Sequence, residues 1–268
     1  MHNVDIEIVE MTLDVMKFAI NRLTDADPPL GMPRTEEDLR AEVGETITAE
    51  GITGEKAFRL FRDVLLKASI SIDHPRHLAF VPASPTRAAV MFDLVTSAAS
   101  VHGAYWLEGA GCIFAENAAM RWLVSLTGLP AGAFGVFTSG GTAANLSAMV
   151  AAREAWRSGK PETSPARGLV ITSSGAHSSV KAMARVIDVD LIAVPTDWRF
   201  EAGSLAGAID GLSDDDRSRL FAVVATAGTT NAGIIDDLDG IGRICREQGL
   251  WFHVDAAYGG FFALTDRG

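Results

Sequence analysis

The sequence predicts an α/β fold: a mostly parallel sheet covered by helices and preceded by an N-terminal helical segment. Three observations predict it. Five short runs of Val, Ile, Leu and Phe recur in the later part of the chain. Stretches of helical length fit between them. Turns rich in Gly, Ser and Thr stand where runs give way to helices. Continuous β-rich runs alternating with helices indicate parallel strands buried on both faces.

The chain of 268 residues is long enough for one large domain, or one and a half. Hydrophobic residues make up 48% and charged residues 21%, which excludes a disordered chain. With 23 basic and 34 acidic residues the formal charge is −11. That balance offers no basic field for nucleic acid or for an anionic membrane. The start (MHNVDIE) lacks the n-region and h-region of a signal peptide, and no run approaches twenty apolar residues. Two cysteines, Cys112 and Cys245, cannot build a disulfide framework, so a reduced cytoplasmic setting is expected. They lack metal-binding spacing as well, so no metal site is expected.

The elements follow in order. Residues 6–23 place Ile6, Val9, Leu13, Met16, Ile20 and Leu23 at steps of three and four, the pattern of an amphipathic helix. Residues 25–31 (DADPPLG) break it. Residues 35–50 open with a Thr-x-x-Asp capping pattern and predict a short helix. Residues 54–68 predict another amphipathic helix. The three prolines of residues 74–86 (HPRHLAFVPASPT) forbid a long helix and predict an ordered loop. Apolar helices are predicted at 88–101 and 116–127. The five predicted strands are 134–138 (FGVFT), 169–172, 191–195, 220–226 and 250–255. Helices are predicted between them at 142–157, 178–187, 204–211 and 237–248, and a surface loop at 159–168. The organisation is therefore 1–86, a helical segment with its loop, and 87–268, a large α/β domain. A doubly wound sheet usually continues past its fifth strand. The ending is therefore expected to be a cut edge.

Four motifs stand at the strand ends, where a parallel sheet forms its ligand crevice. TSGGTAAN (138–145) follows a predicted strand and opens a helix. Its glycines let the backbone approach a ligand, and Thr142 can cap a helix start whose N–H groups face an anion. A phosphate cradle and an ordinary Gly-rich turn both fit. Neither G-x-G-x-x-G nor the P-loop pattern is present. SSGAHSS (173–179) brings His177 to the same region, as a ligand contact or a simple helix cap. ATAGTT (225–230) leaves room and hydroxyls, although a Gly-containing strand end explains it as well. In HVDAAYGG (253–260), Trp251, His253 and Asp255 share a face by the two-residue period. A carboxylate among apolar strands is costly unless paired. An ion pair with a protonated heterocycle nitrogen fits Asp255 better than a turn cap, because the sequence offers no basic partner nearby.

Together these motifs resemble the group II pyridoxal-phosphate-dependent amino-acid decarboxylases, the family of the aromatic amino-acid and glutamate decarboxylases. The resemblance runs through HPRHLAFVPASPT, TSGGTAANL, GAHSSVKAMARV, ATAGTTNAGIIDDLDGI and HVDAAYGG, and covers most of residues 54–268. It implies the fold type I, aspartate-aminotransferase-like large domain and pyridoxal 5'-phosphate as cofactor. Gly141 and Thr142 would bind the phosphate. His177 would stack on the pyridine ring, Asp255 would keep its nitrogen N1 protonated, and Ala257 would pack on the ring. Thr230 would hydrogen-bond near the Schiff-base region. Catalysis would rest on His177, Asp255 and Thr230. Phe80 and Pro82 would lie near the substrate, and their apolar character favours an aromatic amino acid over glutamate. The family works as a homodimer whose N-terminal helices wrap the partner.

This sequence departs from the family in three places. Ala143 stands where a Glu is usual, and Ala83 where a hydroxyl is frequent. The family's Schiff-base lysine lies on a later strand, and none of Lys17, Lys56, Lys67, Lys160 or Lys181 has its Asn/Asp-x-His-Lys context. The leading expectation is therefore L-amino-acid decarboxylation with the lysine supplied from outside these residues, by a longer or second chain. The runner-up is a non-catalytic cofactor-binding or assembly partner of the same fold. An aminotransferase or carbon–carbon lyase fits less well, and the missing G-x-G-x-x-G argues against a nicotinamide dehydrogenase.

Overall fold

The computed structural model describes residues 6–81, 83–130, 132–158, 161 and 167–266. Pro82 and most of the 159–168 loop lie outside them. The chain divides into two compact units, residues 1–102 and 103–268.

In the first unit, α1 (Ile6–Thr24), α2 (Glu36–Val43), α3 (Gly54–Leu60) and α4 (Arg87–Ala98) match the predicted helices. The Thr35 hydroxyl accepts the Asp38 N–H at 3.1 Å and donates to the Asp38 carboxylate at 2.7 Å. This reciprocal pair is the capping signal read at 35–50, but the helix stops at Val43, where Gly44 takes φ +70°. The Thr53 and Thr86 hydroxyls cap α3 and α4 more simply, accepting the Lys56 and Ala89 N–H groups. The predicted 54–68 helix loosens into a π-helical turn at Phe61–Leu65. Phe18 on α1 meets Phe58 on α3 edge-on at 5.8 Å, and Arg22 pairs with Asp73 at 2.7 Å. The described residues of the Pro-rich segment form an irregular loop, as expected. In it the buried His74 accepts the Arg76 N–H at 3.0 Å, and His77 stacks on Phe80.

The second unit begins with α5 (Trp106–Leu126), ten residues longer at its start than predicted and kinked at Gly109. Then come α6 (Gly141–Ser158), β1 (Leu169–Ser173), α7 (Ser178–Val186), β2 (Asp190–Val194) and α8 (Ala202–Asp210). The short α9 (Asp214–Arg219), β3 (Leu220–Thr226), α10 (Leu238–Gln248) and β4 (Trp251–Asp255) complete it. The described strands form one sheet of order β2-β1-β3-β4, with every pairing parallel. The predicted strand at 134–138 is a correction: these residues form no strand, and Phe134, Val136 and Phe137 are exposed. An apolar run becomes a strand only where a neighbour takes its N–H and C=O groups. None of the four strands does so.

The sheet is doubly covered because its side chains alternate. Val170, Ala222 and Val224 pack with Met149, Val180 and Met183 from α6 and α7. Leu169, Ile171, Val223 and Ala225 pack with Leu205, Ile209, Ile241 and Cys245 from α8 and α10. Burying each such aliphatic side chain stabilises by about 1.5–3 kcal/mol. β1 and β3 are buried along their whole length, which is why their sequences carry no polar alternation.

Candidate active site

Strand order fixes where a site forms. From β1 the chain passes through α7 to β2 on one side, then crosses back to β3 on the other. The carboxyl ends of β1 and β3 therefore splay their loops apart at a switch point, the place where ligands enter open α/β sheets. A cleft of about 570 Å³ opens there. Ser174 and His177 line it after β1, Thr196 and Trp198 after β2, and Thr229 and Thr230 after β3. Its size suits a small-molecule ligand.

Asp236 holds two of these loops. Its Oδ2 accepts the Thr226 N–H at 2.7 Å and its Oδ1 accepts the Phe200 N–H at 2.9 Å. The carboxylate thus ties the loop after β2 to the end of β3. Burial pushes its pKa up, against the lowering effect of the two N–H donors.

Asp255 ends β4 opposite Thr226 and is 7% exposed. Among the described residues it has no ion-pair partner. Its Oδ2 accepts from Asn145 Nδ2 at 2.9 Å, and its Oδ1 from the Ala257 N–H at 3.2 Å. Asn145, buried on α6, also donates to Ser179 Oγ at 3.1 Å, and its Oδ1 lies 2.8 Å from His253 Nε2. Ser179 Oγ in turn is 2.9 Å from His177 Nδ1, which also accepts the Ser179 N–H as the cap of α7. One polar chain therefore joins Asp255 to the cleft-lining His177 through Asn145 and Ser179. Burial lowers the His253 pKa, and the nearby Asp255 charge opposes that shift.

The start of α6 lies against the same strand end. A Cβ on Gly141 would stand 2.9 Å from the Ala257 Cβ, so only glycine fits without displacement. Gly140 takes φ +145°. Its carbonyl accepts the Ala143 and Ala144 N–H groups, so those of Gly141 and Thr142 lie ahead of the first helical bonds. Thr142 is consequently the second residue of α6 and not its cap, a correction to the sequence reading.

Comparison with known proteins bears on what this site is. The family description "Pyridoxal-dependent decarboxylase conserved domain" matches residues 42–267. The chain belongs to the pyridoxal-dependent decarboxylase family. It is 30% identical over 236 residues to an aromatic-L-amino-acid decarboxylase of Bacillus atrophaeus, covering 86% of this chain and 48% of that protein. It is 34% identical over 200 residues to an L-2,4-diaminobutyrate decarboxylase of Rhizobium meliloti, covering 73% and 39%. The fold aligns with Catharanthus roseus tryptophan decarboxylase in complex with L-tryptophan at a TM-score of 0.88 and 20% identity, over 100% of this chain and 60% of that one. It aligns with Oryza sativa TDC with PLP and tryptamine at 0.86 and 22%, over 100% and 58%. The chain thus spans about half the length of the curated relatives it matches.

Within this decarboxylase-family chain the structure brings Gly141, Ala257, Asp255 and His177 into one connected region, and Thr230 lines the same cleft as His177. Phe80 belongs to the other unit, exposed and at φ +61°. Pro82 lies outside the described residues. Sequence reasoning assigned no role to Asn145, Ser179 or His253. A signal existed: Asn145 sits four residues after Gly141, one helical turn along α6, so it returns to the side of the helix that faces Ala257.

Proposed function

We propose that this chain forms the cofactor-binding part of a pyridoxal-phosphate-dependent L-amino-acid decarboxylase, a carboxy-lyase of amino-acid metabolism. The observation that carries this is Asp255: a buried carboxylate at a strand end, oriented by two N–H donors and paired with no cation among the described residues. Burying such a charge unpaired is costly. A pyridinium N–H is a partner of the chemistry it lacks, so the donor set fits the cofactor. The Gly141 approach and the helix start around Thr142 fit its phosphate. When bound, pyridoxal phosphate supplies an electron sink for the bond that loses carbon dioxide.

The chain's own residues would do the rest. Asp255 would keep the ring nitrogen protonated by favouring its charged form. Gly141 and Thr142 would hold the phosphate through backbone N–H groups and a hydroxyl. His177 would cover the ring and hold a proton at its imidazole, with Ala257 packing beside it and Thr230 hydrogen-bonding near the reacting end. Orientation of the bond to be broken is then a matter of binding. Phe80 and Pro82 would meet the substrate, which we take to be an aromatic L-amino acid. We infer a homodimer in a reducing cytoplasm, consistent with the unpaired Cys112 and Cys245.

Titration with pyridoxal phosphate, followed by absorption and induced circular dichroism, tests this. The chain is expected to bind it, and Asp255→Ala to weaken binding at least about tenfold, the loss of one charge-assisted interaction. No binding by the unsubstituted chain, or equal binding by the variant, would overturn the proposal. Carbon dioxide release against amino-group transfer, over aromatic amino acids, diaminobutyrate and glutamate, tests the reaction and substrate.

One observation favours a second reading. No lysine is among the residues that line the cleft. The amine that anchors the cofactor would then come from outside the described residues, or the chain would bind the cofactor noncovalently as a non-catalytic partner. Borohydride trapping decides: a specific lysine adduct within these 268 residues excludes the non-catalytic reading.

A further inference from the structure

Three buried or half-buried polar side chains, Asp255, Ser179 and His253, meet Asn145, and Ser179 passes the contact on to His177, so their proton positions are coupled. Asp255, when ionised, is an acceptor only, so the group facing its Oδ2 at 2.9 Å must be a donor. That sets the carboxamide of Asn145: the nitrogen faces Asp255 and the oxygen faces His253. The reverse orientation would place two acceptors in contact and leave the amide N–H groups aimed at His253. With the oxygen on its side, His253 must carry a proton on Nε2, because the 2.8 Å contact needs a donor.

The second amide hydrogen points to Ser179 Oγ at 3.1 Å. Ser179 therefore accepts from Asn145, and its own hydrogen is left for His177 Nδ1 at 2.9 Å. The Ser179 backbone N–H already donates to that same nitrogen at 3.2 Å. His177 Nδ1 is thus an acceptor twice over, and the ring proton lies on Nε2. A proton on Nδ1 would face two donors and leave the serine hydroxyl without its acceptor.

We propose that Asn145 is a positioning residue that transmits the charge of Asp255 into fixed proton positions: it places His253 in the Nε2–H form and turns the Ser179 hydroxyl onto His177 Nδ1, whose Nε2–H form the Ser179 N–H also holds. It touches no reacting atom. It acts through the carboxylate it orients and the imidazoles it orders. The consequence at the cofactor rests on the functional reading given above: a fixed Asp255 oxygen for the ring nitrogen, and a His177 in the cleft that carries its N–H on the far ring nitrogen. The proton positions themselves need no cofactor.

The test uses the whole chain with 15N-labelled histidine, without cofactor, and reads imidazole tautomers from long-range 1H–15N correlations. Separate His177→Gln and His253→Gln samples assign the signals. Both rings are expected as Nε2–H in the unsubstituted chain, and an Nδ1–H form of either overturns the proposal. Asn145→Leu, close in volume, removes both donors and the acceptor. His253 is then expected to populate both tautomers, while His177, still capped by the Ser179 N–H, keeps its own. Asn145→Ser replaces it should the leucine variant fail to fold. A folded variant in which His253 stays wholly Nε2–H overturns the idea, because a merely structural Asn145 would leave that tautomer unmoved.

A second arm measures pyridoxal phosphate binding, expected to be at least about tenfold weaker in the variant, the value of about 1.4 kcal/mol. Unchanged affinity with altered tautomers would remove Asn145 from the cofactor site and overturn that half of the proposal. Failure of the unsubstituted chain to bind would count against the functional reading alone, since the tautomers are judged separately.

Discussion

Asp255 and His253 share one face of β4, yet burial acts on them in different surroundings. Asp255 keeps two N–H donors. His253 has only the Asn145 oxygen on Nε2, and desolvation lowers its pKa from 6.5 despite the Asp255 charge. A depressed histidine pKa means that the unfolded chain binds the proton more readily. Stability is therefore intact above about pH 6.5 and falls as pH drops toward the lowered folded value. His253→Gln is expected to flatten this acid loss while Asp255 remains. Urea midpoints between pH 7.5 and 5 check it, and parallel curves for both proteins would refute it. Cys245 gives a second residue-scale test. Burial pushes its thiol up to about 11, whereas Cys112 is exposed. One thiol per folded chain is expected to react with Ellman's reagent at pH 8, and both after unfolding.

Two element junctions hold the site in place. The first is the approach of α6 to the end of β4, where Gly141 leaves no room for a Cβ against Ala257. Gly141→Val should push the helix start outward and weaken pyridoxal phosphate binding by about tenfold or more, with a smaller loss of about 1–3 kcal/mol in stability from overpacking. The second is the Asp236 tie between β3 and the loop after β2. Asp236→Ala leaves two buried N–H groups without acceptors, at about 1–3 kcal/mol each. Its expected signs are a lower urea midpoint and faster proteolysis near Trp198. These junctions also show what a sequence reveals. The 220–226 strand was legible because buried parallel strands must be wholly apolar. The Thr35 cap was legible because three-residue spacing is local. The 134–138 run has the same composition as a strand, but pairing is non-local and no composition reports it. Asp255 could be singled out as a charge in the wrong medium. Asn145 offered only its place one helical turn after Gly141; its partners lie 34 and 110 residues away, and an asparagine in a Gly-rich motif already has a local explanation.

At the scale of the whole molecule, the first helix raises a question that its own unit leaves open. Ile6, Leu13 and Ile20 recur every seven residues along α1, so they form one stripe with little drift. The periodicity suggested a buried face, yet they are 69%, 64% and 51% exposed, and α1 buries no residue. Covering each would contribute about 1.5–3 kcal/mol. A contiguous stripe of this kind marks an interaction surface more often than a solvated one. The net charge of −11 opposes self-association, so apolar contact has to supply the attraction. With a second copy as the partner proposed above, sedimentation velocity should show a dimer that persists at low micromolar concentration. Leu13→Lys with Ile20→Lys should shift it to monomer without changing helical content, since neither side chain packs in the core of its own unit. The shift should be steeper at low salt, where the like charges of two acidic copies repel over a longer range. A monomer for the unsubstituted chain at every concentration would show that this stripe does not join two copies.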